Sequence, residues 1–166
     1  MTFLSILDKI NTYLNRLLIG MGGAFLVAMI ALGSGNIIFR WAWLPIMGTY
    51  ELMGLFGAVA ASFALGSTQS RRGHIAVDVL VNRFPANIRR VVQTVSSGAG
   101  MLLFSMLTWQ IIRLGLTLRD AGELTESLGI IYYPFIFAVA LGCGAMSLVL
   151  LADIVRVLVV EKAGDI

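Results

Sequence analysis

Charge is scarce in this sequence: Asp, Glu, Lys and Arg make up 13% of its 166 residues, against roughly 25% in an average soluble domain. Hydrophobic residues make up 58% and the mean hydropathy is +0.91, more apolar surface than a soluble fold of this size can hide. Cysteine is nearly missing. Cys143 stands alone, which excludes an intramolecular disulfide, and among glycine and alanine it reads as a small packing residue. Histidine is equally rare: His74 has no second histidine and no nearby cysteine, which excludes a bis-histidine haem and a zinc site. No glycine-rich phosphate loop follows a strand, no nucleophile stands at a useful spacing from a base, and no basic-aromatic nucleic-acid motif occurs. These absences argue against an enzyme and against nucleic acid as a partner, and the sequence implies no cofactor for this chain.

What is present is four long runs free of charge, Leu17–Phe39, Leu52–Ser70, Val91–Ile112 and Ser127–Ala152, each of 19 to 26 residues. A helix needs about 20 residues to cross a hydrocarbon core about 30 Å thick. The sequence therefore predicts an all-α integral membrane protein of one domain, 1–166, with four transmembrane helices at about 17–39, 48–69, 88–113 and 130–155. The first run is longer than the roughly 7–15 apolar residues of a secretory signal and sixteen mixed residues precede it, so it is expected to be retained.

Basic residues set the orientation. With a cytoplasmic N-terminus the inner segments hold nine of them, Lys9, Arg16, Arg71, Arg72, Arg83, Arg89, Arg90, Arg156 and Lys162, and the outer ones only Arg40, Arg113 and Arg119. The positive-inside rule then puts both termini in the cytoplasm. Trp41, Trp43 and Tyr50 near one outer edge, with Tyr132 and Tyr133 near the other, fit an aromatic belt. The sequence pI of 9.4 reflects topology and anionic membrane lipid.

Within the runs, small residues predict close helix contacts. Helix 1 keeps one side small with Gly20, Ala24, Ala28, Ala31 and Gly35. Helix 2 presents Gly54, Ala58, Ser62 and Gly66 at four-residue spacing, flanked by Gly57 and Ala61, a ladder that lets another helix approach closely in lipid. Pro85 and Pro134 suit the first turns of helices 3 and 4. Helix 3 can run to about Arg119, and helix 4 through Asp153 and Arg156. Glu51 is the one acidic residue about a turn inside a span. Two roles are open to it: a gate or coupling-ion ligand, or an ion pair with Arg40 that fixes helices 1 and 2, the latter favoured because a charge at that depth is costly unless paired.

Between helices 2 and 3 the stretch "SRRGHIAVDVLVNRFPANIRR", residues 70–90, carries five of the twelve basic residues. At 100° per residue Arg71, His74, Asp78 and Asn82 fall within about 80° of one another, with Ile75, Val79, Leu80 and Phe84 around the rest. The expectation is a polar-striped segment at the inner membrane surface. A solvated loop broken at Gly73 is the plainer alternative.

The stretch "RRGHIAVDVLVNRFPANIRR" resembles the central signature of the small, Q-type (DctQ-like) membrane subunit of tripartite ATP-independent periplasmic (TRAP) transporters. Matching residues are Glu51; Gly57, Ala58, Ala60 and Ala61; Gly73, His74, Ile75, Val77 and Asp78; and Pro85 and Arg89. A second match is "GELTESLGIIYYP", which resembles the family's Gly-x-x-(Ser/Thr)-x-x-Leu-Gly-Ile approach to the last helix. Phe56 and Phe63 stand where the family often has Trp, and Tyr132 or Tyr133 replaces another; these read as aromatic exchanges at an interface. The resemblance implies a subunit of the bacterial inner membrane that packs against the scaffold of a large membrane subunit. That assembly would import an organic acid, delivered by a transiently bound periplasmic binding protein and driven by sodium. Glu51, Gly54, Ala58, Ser62, Gly66, Arg71, His74, Asp78 and Asn82 are then candidates for the subunit interface. The rival from another class is a self-sufficient four-helix exporter or channel acting as a homodimer, which needs an ionisable group in a central cavity.

Overall fold

The computed structural model describes residues 2–42, 44, 46–70 and 86–164. Four helices account for nearly all of them: α1 Thr2–Trp41, α2 Thr49–Ser70, α3 Ala86–Ala121 and α4 Tyr133–Gly164. All four are long and apolar enough to cross a membrane. The 40 residues of α1 and 36 of α3 give lengths of about 60 and 54 Å at 1.5 Å per residue. Both exceed a hydrocarbon core of about 30 Å and must tilt or project beyond it.

The connection between α1 and α2 is held by polar side chains. Asn36 Oδ1 accepts from the Ile46 backbone N–H at 3.0 Å, and the Thr49 hydroxyl, fully buried, donates to the Ile46 carbonyl at 2.7 Å. Gly48 turns the chain at φ +72°. At the end of α3 the Gly122 N–H donates to the Arg119 carbonyl and the Glu123 N–H to the Leu118 carbonyl. With Gly122 at φ +65° this is a Schellman cap, the geometry for which glycine is preferred. Pro134 is the second residue of α4, where its missing N–H leaves no helical bond unmade.

The helices do not pack equally. α4 lies against α3, α2 and α1, and α2 against α1, whereas α3 packs chiefly on α4. Leu18, Val59, Phe63 and Ala145 form the core of α1, α2 and α4, with Leu14, Phe25 and Phe135 packed around it. Phe25, Phe56 and Phe135 stack in series at centroid separations of 5.3 and 6.0 Å. Phe63, buried, and Phe56, half-buried, therefore help bind this chain's own helices together. Cys143 is buried in α4. Large apolar side chains cover much of the outward surface, Leu102, Met106 and Trp109 of α3 among them, as a chain solvated by lipid requires.

Glycine marks the tightest approaches. A Cβ on Gly142 would lie 2.6 Å from the carbonyl carbon and oxygen of Ser62, so α4 rests directly on the backbone of α2. On α1 the glycines in contact are Gly22, against Phe63, and Gly33, against Met53. The small side anticipated from Gly20, Ala24, Ala28, Ala31 and Gly35 is not the packed one: Gly20 and Gly35 have nothing within 4 Å of an added Cβ. The larger side chains Leu18 and Phe25 turn inward instead, because they fill the space beside α2 that alanine would leave empty.

Candidate functional site

At the end of the bundle where α1 turns into α2, the α3–α4 connection folds into a compact knot around Thr125. Its backbone N–H donates to the Ile130 carbonyl at 2.9 Å, its carbonyl accepts from Gly129, and its hydroxyl oxygen accepts from the Ile130 N–H at 3.0 Å. Leu124 and Ile131 form an antiparallel bridge outside the knot. Gly129 reverses the chain at φ +63°. Leu128 packs onto Gly48, where any Cβ would overlap it. Every fixed position of the Gly-x-x-Thr-x-x-Leu-Gly-Ile stretch thus supports the local fold. Gly122 caps α3, Thr125 organises the knot, Leu128 seals the α1–α2 turn, and Gly129 and Ile130 close the loop.

Glu51 pins this knot to α2. Its Oε1 accepts from the Ser127 backbone N–H at 2.9 Å across 76 residues of sequence. Thr125, Ser127 and Leu128 surround the carboxylate, while Oε2 is buried without a directed partner. The expected Arg40–Glu51 ion pair is not formed, although both residues are described. Arg40 is exposed at the end of α1, and the acidic group has found backbone N–H donors in the loop folded over it. A carboxylate accepting such bonds is satisfied without a cation. Thr125 and Ser127 were not among the candidates drawn from sequence; the Gly-x-x-Thr pattern was the signal available for the first.

The helix 2 ladder divides into two halves. Ser62 and Gly66 are buried within the chain. The Ser62 hydroxyl is bonded to the Val59 carbonyl at 2.9 Å and its backbone meets Gly142, while Gly66 lies against Asn15. Gly54 and Ala58 are exposed, with Ala61 beside them, and an added Cβ at Gly54 would meet nothing within 4 Å. One half joins α2 to α4 and α1, and the other presents small residues outward.

A polar cluster lies at the opposite end of the bundle. Asn15, 6% exposed, donates from Nδ2 to the Asn11 carbonyl at 2.9 Å, and its Oδ1 is turned toward Gly66 with no hydrogen-bond partner. Asn11 reaches the Leu148 carbonyl of α4 at 3.5 Å, and Gln69 reaches Asp153 at 3.4 Å. Side chains from α1, α2 and α4 thus meet at one level. Only Gly66 leaves room for the Asn15 amide, since a Cβ there would overlap Oδ1.

Arg71, His74, Asp78 and Asn82 lie outside the described residues, as do Pro85 and Trp43. Among the described residues no group of three or more His, Cys, Asp or Glu side chains is placed to hold a metal ion. Taken together, the described residues offer a helical framework with small residues turned outward on α2 and also on α1, at Gly20, Ala24 and Ala31, and no assembled reaction centre.

The sequence model of the family described as "Tripartite ATP-independent periplasmic transporters, DctQ component" matches residues 29–160. No curated protein matches the chain.

Proposed function

Because the chain belongs to the DctQ component family of the tripartite ATP-independent periplasmic transporters, we propose that it is the small membrane subunit of such a transporter and braces the scaffold of the large one. In this reading the chain itself neither binds substrate nor carries the coupling ion. The large subunit imports an organic acid with sodium, and a periplasmic binding protein supplies the acid. The chain lies in the bacterial inner membrane with both termini cytoplasmic, consistent with nine basic residues against three. The loop knot held by Glu51 then faces the periplasm, and the Asn15 cluster the cytoplasm.

The observation that carries the bracing role is the exposed half of the helix 2 ladder. In lipid, apolar bulk alone gives helices no reason to associate; small residues do so by letting backbones approach closely. Gly54 and Ala58 form such a line, on a helix whose other side is committed to α1 and α4. The self-sufficient exporter needs an ionisable group in a central cavity, and its one candidate, Glu51, is engaged by Ser127.

The test is Gly54→Leu and Ala58→Leu, separately, in chain co-expressed with the large subunit. Neither position is packed within the chain, so the small subunit should keep its thermal stability in detergent. Recovery with the large subunit, and uptake with it, should fall. Unchanged recovery in both variants would remove this face from the interface.

A further inference from the structure

Two features of α1 that the bracing role leaves unused lie on one line. Beside the small-residue face, α1 and α2 enclose an open groove of about 410 Å³, almost wholly apolar, lined by Ile19, Gly23 and Leu26 on one side and Gly57, Ala61 and Ala64 on the other. Toward the N-terminus of the same helix, Lys9, Thr12, Tyr13 and Arg16 line a separate hollow of about 450 Å³. At 100° per residue Thr12, Arg16, Ile19, Gly23 and Leu26 fall within about 80° of one another. The hollow is therefore the continuation of the groove along α1, in the direction of the membrane surface.

Lys9 and Arg16 are exposed, and neither has an ion-pair partner among the described residues. Arg16 directly precedes the charge-free run Leu17–Phe39, which sets it at the boundary between headgroups and hydrocarbon. Two cations at that boundary suit a phosphate. A groove about ten residues long, Ile19 to Met29, is about 15 Å deep along the helix, enough for most of an acyl chain.

We propose that this groove and hollow together bind one anionic phospholipid, its phosphate at Lys9 and Arg16 and one acyl chain along the glycine- and alanine-lined channel between α1 and α2. Charge decides for a lipid over a transmembrane helix as occupant: a helix would fill the apolar groove but leave both cations unmatched. The site depends on the chain spanning a membrane and not on which transporter it serves.

The test uses the full chain purified in mild detergent, titrated with phosphatidylglycerol or phosphatidylcholine of identical acyl chains and read by native mass spectrometry. One equivalent of phosphatidylglycerol should be retained, with an advantage over phosphatidylcholine of about tenfold to thirtyfold, on the scale of about fivefold per basic residue at an anionic surface. Lys9→Gln with Arg16→Gln should abolish the advantage. Gly23→Leu, at an exposed position with nothing within 4 Å of an added Cβ, should lower retention of both lipids and keep the headgroup preference. The proposal is overturned if the wild-type chain holds both lipids equally, if the double variant keeps the preference, or if glycerol phosphate alone competes as well as the intact lipid. Release of the lipid on adding the large subunit would also overturn it, assigning the groove to a partner helix.

Discussion

Gly142→Ala should loosen the crossing of α2 and α4, where a glycine of one helix lies against the backbone of the other. The new Cβ would sit 2.6 Å from the carbonyl carbon and oxygen of Ser62 and 2.8 Å from its Cβ. Favourable carbon contacts lie at about 3.5–4.0 Å, so the helices would have to part by about 1 Å. The obstacle is backbone, which cannot rotate aside as the end of a side chain could. Overpacking of this kind costs about 1–3 kcal/mol, and alanine recovers up to about 1 kcal/mol over glycine through helix propensity. The net expectation is a loss of about 1–2 kcal/mol. Gly144→Ala is the matched control two residues away, because its Cβ would meet Thr108 Cγ2 at an ordinary 3.6 Å, and it should be neutral or slightly stabilising. Thermal unfolding of the two purified variants in the same detergent reads the difference, about 2–4 °C per kcal/mol for a chain of this size. If Gly142→Ala unfolds no earlier than Gly144→Ala, the close approach of α4 to Ser62 is wrong.

Further expectations concern the two ends of the bundle. Glu51→Ala should speed amide hydrogen exchange at Ser127 and its loop neighbours, and Arg40→Ala should leave that exchange unchanged; the reverse would restore the ion pair. Gly66→Ala should destabilise the chain because the Asn15 amide loses its place, and Gly66→Ala combined with Asn15→Ala should recover part of the loss in the same unfolding assay. Asp78→Ala tests the polar-striped segment: loss of a charge-assisted contact to the large subunit would weaken association by about 1.5–3 kcal/mol, seen as reduced recovery of the complex with the binding protein's substrate affinity unmoved. Reporter fusions at Gly48 and Gly122 should read periplasmic and one at Gly164 cytoplasmic, and the opposite pattern would reverse the orientation.

The four helices could be read from the sequence because each contains a long run without charge; a residue such as Asp153, within α4, marks where the hydrocarbon ends and not where the helix does. The face each helix turns to its neighbours could not be read so directly. α1 is apolar on every side in its central run, so the alignment of Gly20, Ala24 and Ala28 carried no more information than that of Leu18, Gly22 and Phe25, and the packed line was decided by what α2 and α4 offer. The helix 2 ladder was identifiable as a contact surface, but its spacing does not say that Ser62 and Gly66 serve the chain's own helices while Gly54 and Ala58 remain outward. Glu51 shows a different limit. Its depth required a partner, and the nearest opposite charge in sequence was Arg40, yet the donor came from Ser127, brought near only by the fold of the Thr125 knot. Backbone N–H groups are present at every residue but proline, so sequence cannot single one out.

Uptake in proteoliposomes tests most directly whether this chain is a brace and not a carrier. The chain reconstituted alone should move no organic acid. Adding the large subunit and the periplasmic binding protein should give uptake that requires a sodium gradient and that is lost, together with the complex, when Ala58→Leu replaces the wild-type chain. Flux from the chain alone, or full uptake by the large subunit and binding protein without it, would contradict the account.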